Sequence, residues 1–91
     1  MAIHVYIPTP FRRATNNEAR VTVEAADVKH ALDSLEARYA GLKGLMRDEH
    51  GRVLRHVNLY VNSEAVDVVE GLGTALKDGD ELSIIPALAG G

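Results

Sequence analysis

Apolar and polar residues alternate along four stretches of the chain, and one stretch between them repeats at helical spacing. Ile3, Val5 and Ile7 alternate with His4 and Tyr6 until Pro8 and Pro10 break the pattern, predicting a first strand with one buried face. Ala19, Val21 and Val23 alternate with Arg20, Thr22 and Glu24 as a second strand. Phe11 to Glu18 is polar apart from Phe11 and Ala14 and contains Asn16-Asn17, so it reads as the loop of a hairpin. Val28, Ala31, Leu32, Leu35 and Tyr39 share one helical face, with Lys29, Asp33, Glu36 and Arg38 on the other. Asp27 is a fitting N-cap and Gly41 a fitting C′ residue, which sets a helix over Val28–Ala40. Leu42, Leu45 and Met46 suit a short helical turn, and charged Arg47 to Arg55 an exposed loop. Val57, Leu59 and Val61 alternate as a third strand, followed by turn-like Asn62 to Ala65 and a short strand at Val66–Val69. Gly71-Leu-Gly73 leads to one helical turn at Thr74–Lys77, then a turn at Asp78-Gly79-Asp80. Leu82 and Ile84 alternate with Glu81 and Ser83 in a last strand that Pro86, lacking a ladder donor, should stop.

The order β-β-α-β-(β)-β predicts an α+β domain with one main helix across one face of a mixed sheet. Ninety-one residues fit a single domain. No apolar run approaches the length of a membrane span, and Met1 to Tyr6 does not read as a signal peptide, so the cytoplasm is the expected compartment and no membrane partner is expected. With no cysteine, disulfides, thiolate metal sites and cysteine nucleophiles are excluded. The net charge of −3 argues against a nucleic-acid partner. Its distribution is uneven: residues 1–60 carry nine Lys/Arg against seven Asp/Glu, a net of +2, whereas residues 61–91 carry Lys77 against six Asp/Glu, a net of −5. The plain reading is solvated loops; the functional one is an acidic collar that steers the end of the chain to a basic partner.

Beyond Pro86 stand Ala87, Leu88, Ala89, Gly90 and Gly91. A glycine pair has no side chain to pack, so residues 87–91 are expected to form a free tail on a body of residues 1–86. Extended, five residues reach at most roughly 17 Å. That suffices to carry a carboxylate into the narrow site of another protein.

Several of these residues together resemble the ubiquitin-like sulfur carriers of the MoaD/ThiS type. The resemblance spans the chain: Ile7-Pro8 ending the first strand, the Asp27–Tyr39 helix, Val57-Asn-Leu-Tyr-Val-Asn62, Leu76-Lys-Asp-Gly-Asp80, and Ile84-Ile-Pro-Ala-Leu-Ala-Gly-Gly91. The ending and Tyr39-Ala-Gly41 point to the branch of the family that feeds cysteine biosynthesis. The resemblance implies a β-grasp fold with the first and last strands adjacent and parallel at the sheet centre. It further implies a carrier that is not itself an enzyme and binds no cofactor. An E1-like adenylyltransferase of the MoeB/ThiF type uses ATP to turn the Gly91 carboxylate into an acyl-adenylate, a sulfur donor leaves a thiocarboxylate there, and Ala87, Leu88, Ala89 and Gly90 thread the partner's channel. The implied acceptor enzyme is a PLP-dependent cysteine synthase homologue or another thio-metabolite synthase, with a JAMM-type metalloprotease as a further partner. The alternatives within the family are the small subunit of molybdopterin synthase and a ubiquitin-like protein modifier.

Other residues carry less chemistry. His4, His30, His50 and His56 show no metal-ligand spacing, and no metal site is expected. Ser34, Ser63 and Ser83 lack a nucleophile context. Arg12, Arg13 and Arg20 could form a basic patch near the first hairpin. If Val5, Leu59 and Ile84 face the helix, Tyr6, Tyr60 and Ile85 project from the opposite sheet face and, with Pro86, suit a partner interface.

Overall fold

The computed structural model describes residues 1–66 and 71–86. Among these, strands β1 (Ala2–Tyr6), β2 (Arg20–Glu24), β3 (Val57–Val61), β4 (Glu64–Ala65) and β5 (Glu81–Pro86) form one sheet in the order β2-β1-β5-β3-β4. β1 and β5 are parallel, whereas β1–β2, β3–β4 and β3–β5 are antiparallel. Helix α1 (Val28–Arg38) covers one face. The expected mixed sheet with central first and last strands is therefore present.

Alternation decides which face is covered. Ile3, Val5, Leu82 and Ile84 are fully buried and Leu59 nearly so, against Val28, Ala31, Leu32 and Leu35 of α1. Asp27 caps the helix: its side chain accepts from the His30 backbone N–H at 2.8 Å. That bond, followed by the contact with the His30 ring, holds the Asp27 carboxyl below its usual range. The outer edge of β2 is closed by the helix, since Arg38 donates to the Thr22 carbonyl at 3.0 Å and Ser34 to that of Glu24 at 3.3 Å. These bonds occupy carbonyls that could otherwise recruit another strand.

Five local expectations need correction. The loop over Phe11–Glu18 contains instead a 3₁₀ helix at Thr9–Thr15, because Pro10 is preset for a first helical turn and Phe11 is drawn into the core. The helix stops at Arg38, and Gly41 is not its left-handed C′ residue; it lies in a 3₁₀ turn, Ala40–Leu42. A Cβ on Gly41 would sit 3.1 Å from Ala14 Cβ, so close approach of the two 3₁₀ segments is what glycine provides. Arg47 is not in an exposed loop; it is buried and paired with Asp33 and Glu36. The strand after the third is Glu64–Ala65, because left-handed Asn62 and Ser63 close a two-residue hairpin; part of the expected Val66–Val69 strand lies outside the described residues. The turn near Thr74–Lys77 falls at Gly71–Gly73 instead. Thr74 and Leu76 bond the backbone of Val28 and Ala26, and this extended pairing brings the Leu76 side chain into the core.

Candidate functional site

The site is built from β5 outward. β1 accompanies β5 only as far as Tyr6, opposite Ser83, while β3 accompanies it to the pair Val57–Pro86. Ile84 to Pro86 thus runs beyond β1 with a partner on one side alone. At Val57 the preceding chain turns off through a bond from its N–H to the Leu54 carbonyl. Pro86, the last described residue of β5, has no N–H to donate to the ladder. Gly91, Ala87, Leu88, Ala89 and Gly90, the predicted reactive and threading residues, lie outside the described residues.

On the face away from α1, register places Tyr6, Ser83 and Tyr60 in one row across three neighbouring strands. Arg20 and Ala65 extend that row to both sheet edges. Ile85 lies on the same face one step nearer the end of β5, opposite Asn58. Tyr6 and Ile85 are 36% and 40% exposed, a large accessible apolar area for a strand in the middle of a sheet. Tyr60 is half-buried. Pro86 falls on the opposite parity, half-buried at the strand end beside Val57.

Arg12 ties the 3₁₀ helix Thr9–Thr15 to this face. Its Nε donates to the Ile7 carbonyl at 3.1 Å, an Nη donates to the Tyr6 hydroxyl at 3.3 Å, and its guanidinium carbon lies 5.8 Å from the Tyr6 ring centroid. Arg20 joins Glu81 at 3.1 Å across the same face. The three arginines of the anticipated patch therefore divide, with Arg20 neutralised by Glu81 and Arg12 bonded only to neutral oxygens.

Among the described residues, the acids of the expected collar do not surround the Pro86 end. Asp78, Asp80 and Glu81 lie at the start of β5, roughly 20 Å of strand away. They serve the turn there: Asp78 accepts from the Ala2 N–H at 2.7 Å, and Asp80 accepts from the Lys77 N–H at 2.8 Å and from Asn62 at 2.9 Å. The Lys77 N–H, then Asn62, hold the Asp80 carboxyl below its usual range. Asp67 and Glu70 lie outside the described residues. At the Pro86 end stand Arg55 and His56, exposed and just before Val57. Spacing along the chain missed this pair because it carries no signal for which strand ends meet.

Among the described residues, no three His, Asp or Glu side chains cluster to hold a metal ion, and no helix is long and apolar enough to cross a membrane. The geometry is that of a strand whose final residue leads out of the sheet beside an apolar, partly cationic face.

Comparison with known proteins agrees with this architecture. Residues 5–91 match the ThiS family. Sulfur carrier protein CysO of Mycobacterium tuberculosis is 39% identical over 93 residues, covering 100% of both chains. Small archaeal modifier protein 3 of Haloferax volcanii is 46% identical over 66 residues, 72% of this chain and 71% of that protein. In the crystal structure of the Amycolatopsis orientalis BexX/CysO complex, a matching chain superposes with a TM-score of 0.89 at 42% identity, covering 99% of this chain and 100% of that one.

Proposed function

The chain belongs to the ThiS family, and from that premise we propose that it is a sulfur carrier protein whose reacting group is the Gly91 carboxylate. The observation that carries the reading is the full-length 39% identity to a protein named as a sulfur carrier. The placement of β5 supports it: the central strand carries the chain to Pro86 beside the exposed Tyr6 and Ile85.

The chemistry follows from the group to be activated. A carboxylate resists nucleophilic attack because attack adds charge to an anion. An adenylating partner transfers AMP from ATP to a Gly91 oxygen and releases pyrophosphate, giving a mixed anhydride with a good leaving group. A sulfur nucleophile then attacks the carbonyl carbon, the bond to AMP breaks, and Gly91 keeps a thiocarboxylate. That soft anion passes its sulfur to an acceptor bound on a second enzyme, in the cysteine branch a PLP-dependent synthase homologue. The partner excludes water and stabilises the oxyanion of each acyl transfer. The carrier supplies a docking face, with Tyr6, Tyr60 and Ile85 on it and Pro86 at its end, and a terminus lacking Cβ atoms. It acts as a co-substrate and contributes no catalytic base.

Intact mass spectrometry after incubation with the adenylating enzyme, ATP and a sulfide source tests the proposal. One oxygen should be replaced by sulfur at the carboxy terminus; an unchanged mass with an enzyme proven competent on its own carrier rejects it. The 46% identity to a small archaeal modifier protein favours one second reading, attachment through Gly91 to lysines of other proteins. That reading requires higher-mass conjugates carrying a Gly–Lys isopeptide bond. Label transfer from the thiocarboxylate separates the pathways, with cysteine expected as the product and a molybdopterin precursor marking the rival.

A further inference from the structure

Topology gathers unpaired cations at the end of β5. The 3₁₀ helix Thr9–Thr15 follows β1, which runs parallel to β5 and ends on the same side. Arg12 reaches back from it onto Tyr6, and Arg13 is exposed beside it. Arg55 arrives from the other flank, two residues before the Val57–Pro86 pair. None of the three forms an ion pair among the described residues, whereas Arg20, Lys29 and Arg47 all do. Asp48 and Glu49, with Arg52, lie in the segment that leads to Val57, and Glu18 lies just before β2. Glu18 lines a depression with Arg20, Val21, Thr22, Arg38 and Tyr39 at the β2 edge, away from Pro86.

We propose that Arg12, Arg13 and Arg55 form a cationic rim around the exit of β5, and that the adenylating partner meets this rim with Asp and Glu side chains flanking an apolar seat for Tyr6 and Ile85. The proposal deepens the sulfur-carrier reading and rests on it. It inverts the polarity suggested by net charge, because Asp78, Asp80 and Glu81 lie at the far end, committed to a turn and to Arg20, and Glu64 is paired with Val61 at that end of the sheet. Arg13 and Arg55 are exposed, so their work is long-range: they orient the approaching carrier with its Pro86 end first. Arg12 adds a short-range part. Its guanidinium is already held by the Ile7 carbonyl and the Tyr6 ring, so less side-chain freedom is lost when a carboxylate binds its free edge.

The test is ATP–pyrophosphate exchange by the host's adenylating enzyme, with the full chain as the varied substrate, from about 0.05 to 0.3 M salt. The double variant Arg13→Glu, Arg55→Glu should lower kcat/KM about tenfold or more at low salt and abolish its decline with added salt. Lys77→Glu, which reverses a charge at the other end of β5, should stay within about twofold of the parent. Thermal unfolding of each variant confirms that the fold is intact. A folded double variant with the parental kcat/KM and salt dependence overturns the rim, as does a Lys77→Glu loss equal to that of the single variant Arg13→Glu, which has the same net charge. Absence of exchange with the parental chain overturns the carrier reading itself, and the rim with it.

Discussion

Arg47 shows how much one side chain can matter outside the functional face. Its guanidinium donates to Glu36 at 3.0 Å and to Asp33 at 2.8 Å, with only 8% of the side chain exposed. Burial opposes the charge, but Glu36 and then Asp33 outweigh it and raise the Arg47 pKa above its usual value. Arg47→Ala strands the largely buried Glu36 carboxylate, and the expected loss is about 2–3 kcal/mol, tempered by the exposure of Asp33. Adding Glu36→Gln should recover part of that loss. Denaturant midpoints of the single and double variants decide it, and equal midpoints for Arg47→Ala and the parent reject the account. Residues at the chain end should behave oppositely. Gly90→Val should depress activation by the adenylating enzyme, because a branched Cβ crowds a narrow channel, with the unfolding midpoint unchanged. One residue added after Gly91 should abolish activation, because the attacked carboxylate moves. Activation of either variant at the parental rate refutes threading.

Among the elements, β5 separates stability from function by alternation. Ile84 is fully buried and Ile85 is 40% exposed, one residue apart. Ile84→Ala should cost about 2–4 kcal/mol through lost burial and the cavity left behind. Ile85→Ala should cost no more than about 0.5 kcal/mol in folding yet raise KM in the exchange assay. Unfolding curves beside exchange kinetics distinguish the two, and a stability loss at Ile85 equal to that at Ile84 contradicts the assigned faces. This division was readable from the period of two in residues 81–85. The 3₁₀ helix at Thr9–Thr15 was not, because its stretch looks polar and only the buried Phe11 and the cage around Arg12 reveal its role. Likewise Gly41 fits two roles on paper, a helix cap or a close contact, and the nearby Ala14 selects the second.

At the scale of the whole molecule, charge is sorted along the strand axis. Asp78 and Asp80 hold the turn at the start of β5, and Arg12, Arg13 and Arg55, which form no ion pair among the described residues, lie toward the Pro86 end. Asp27, Asp33, Asp48 and Asp80 all have their carboxyl groups held below the ordinary value: by the His30 N–H, by Lys29, by the Arg52 N–H and by the Lys77 N–H, respectively. A lowered folded pKa means the ionised form is bound more strongly in the native state. The stabilisation is therefore complete above the unfolded value, about 3.9, and is lost as pH falls through the folded values. Tm should be level from about pH 5 to 8 and drop progressively below about pH 4. A Tm that holds steady through that acid range in a circular-dichroism melt excludes these four contacts as contributors.

The amino-acid order alone determined what depends on neighbours a few residues apart: the buried faces of the strands and the capped helix. Its motifs also carried the family resemblance. Only the tertiary structure decided what depends on chain segments remote in sequence. Parallel pairing of β1 with β5 and antiparallel pairing of β3 with β5 place Arg12, Arg55 and Pro86 at one end of the sheet. The same pairings put the acids of the final turn at the other. The physical reason is that periodicity states which side of a strand is buried, but strand order and direction are chosen by the packing of the whole core.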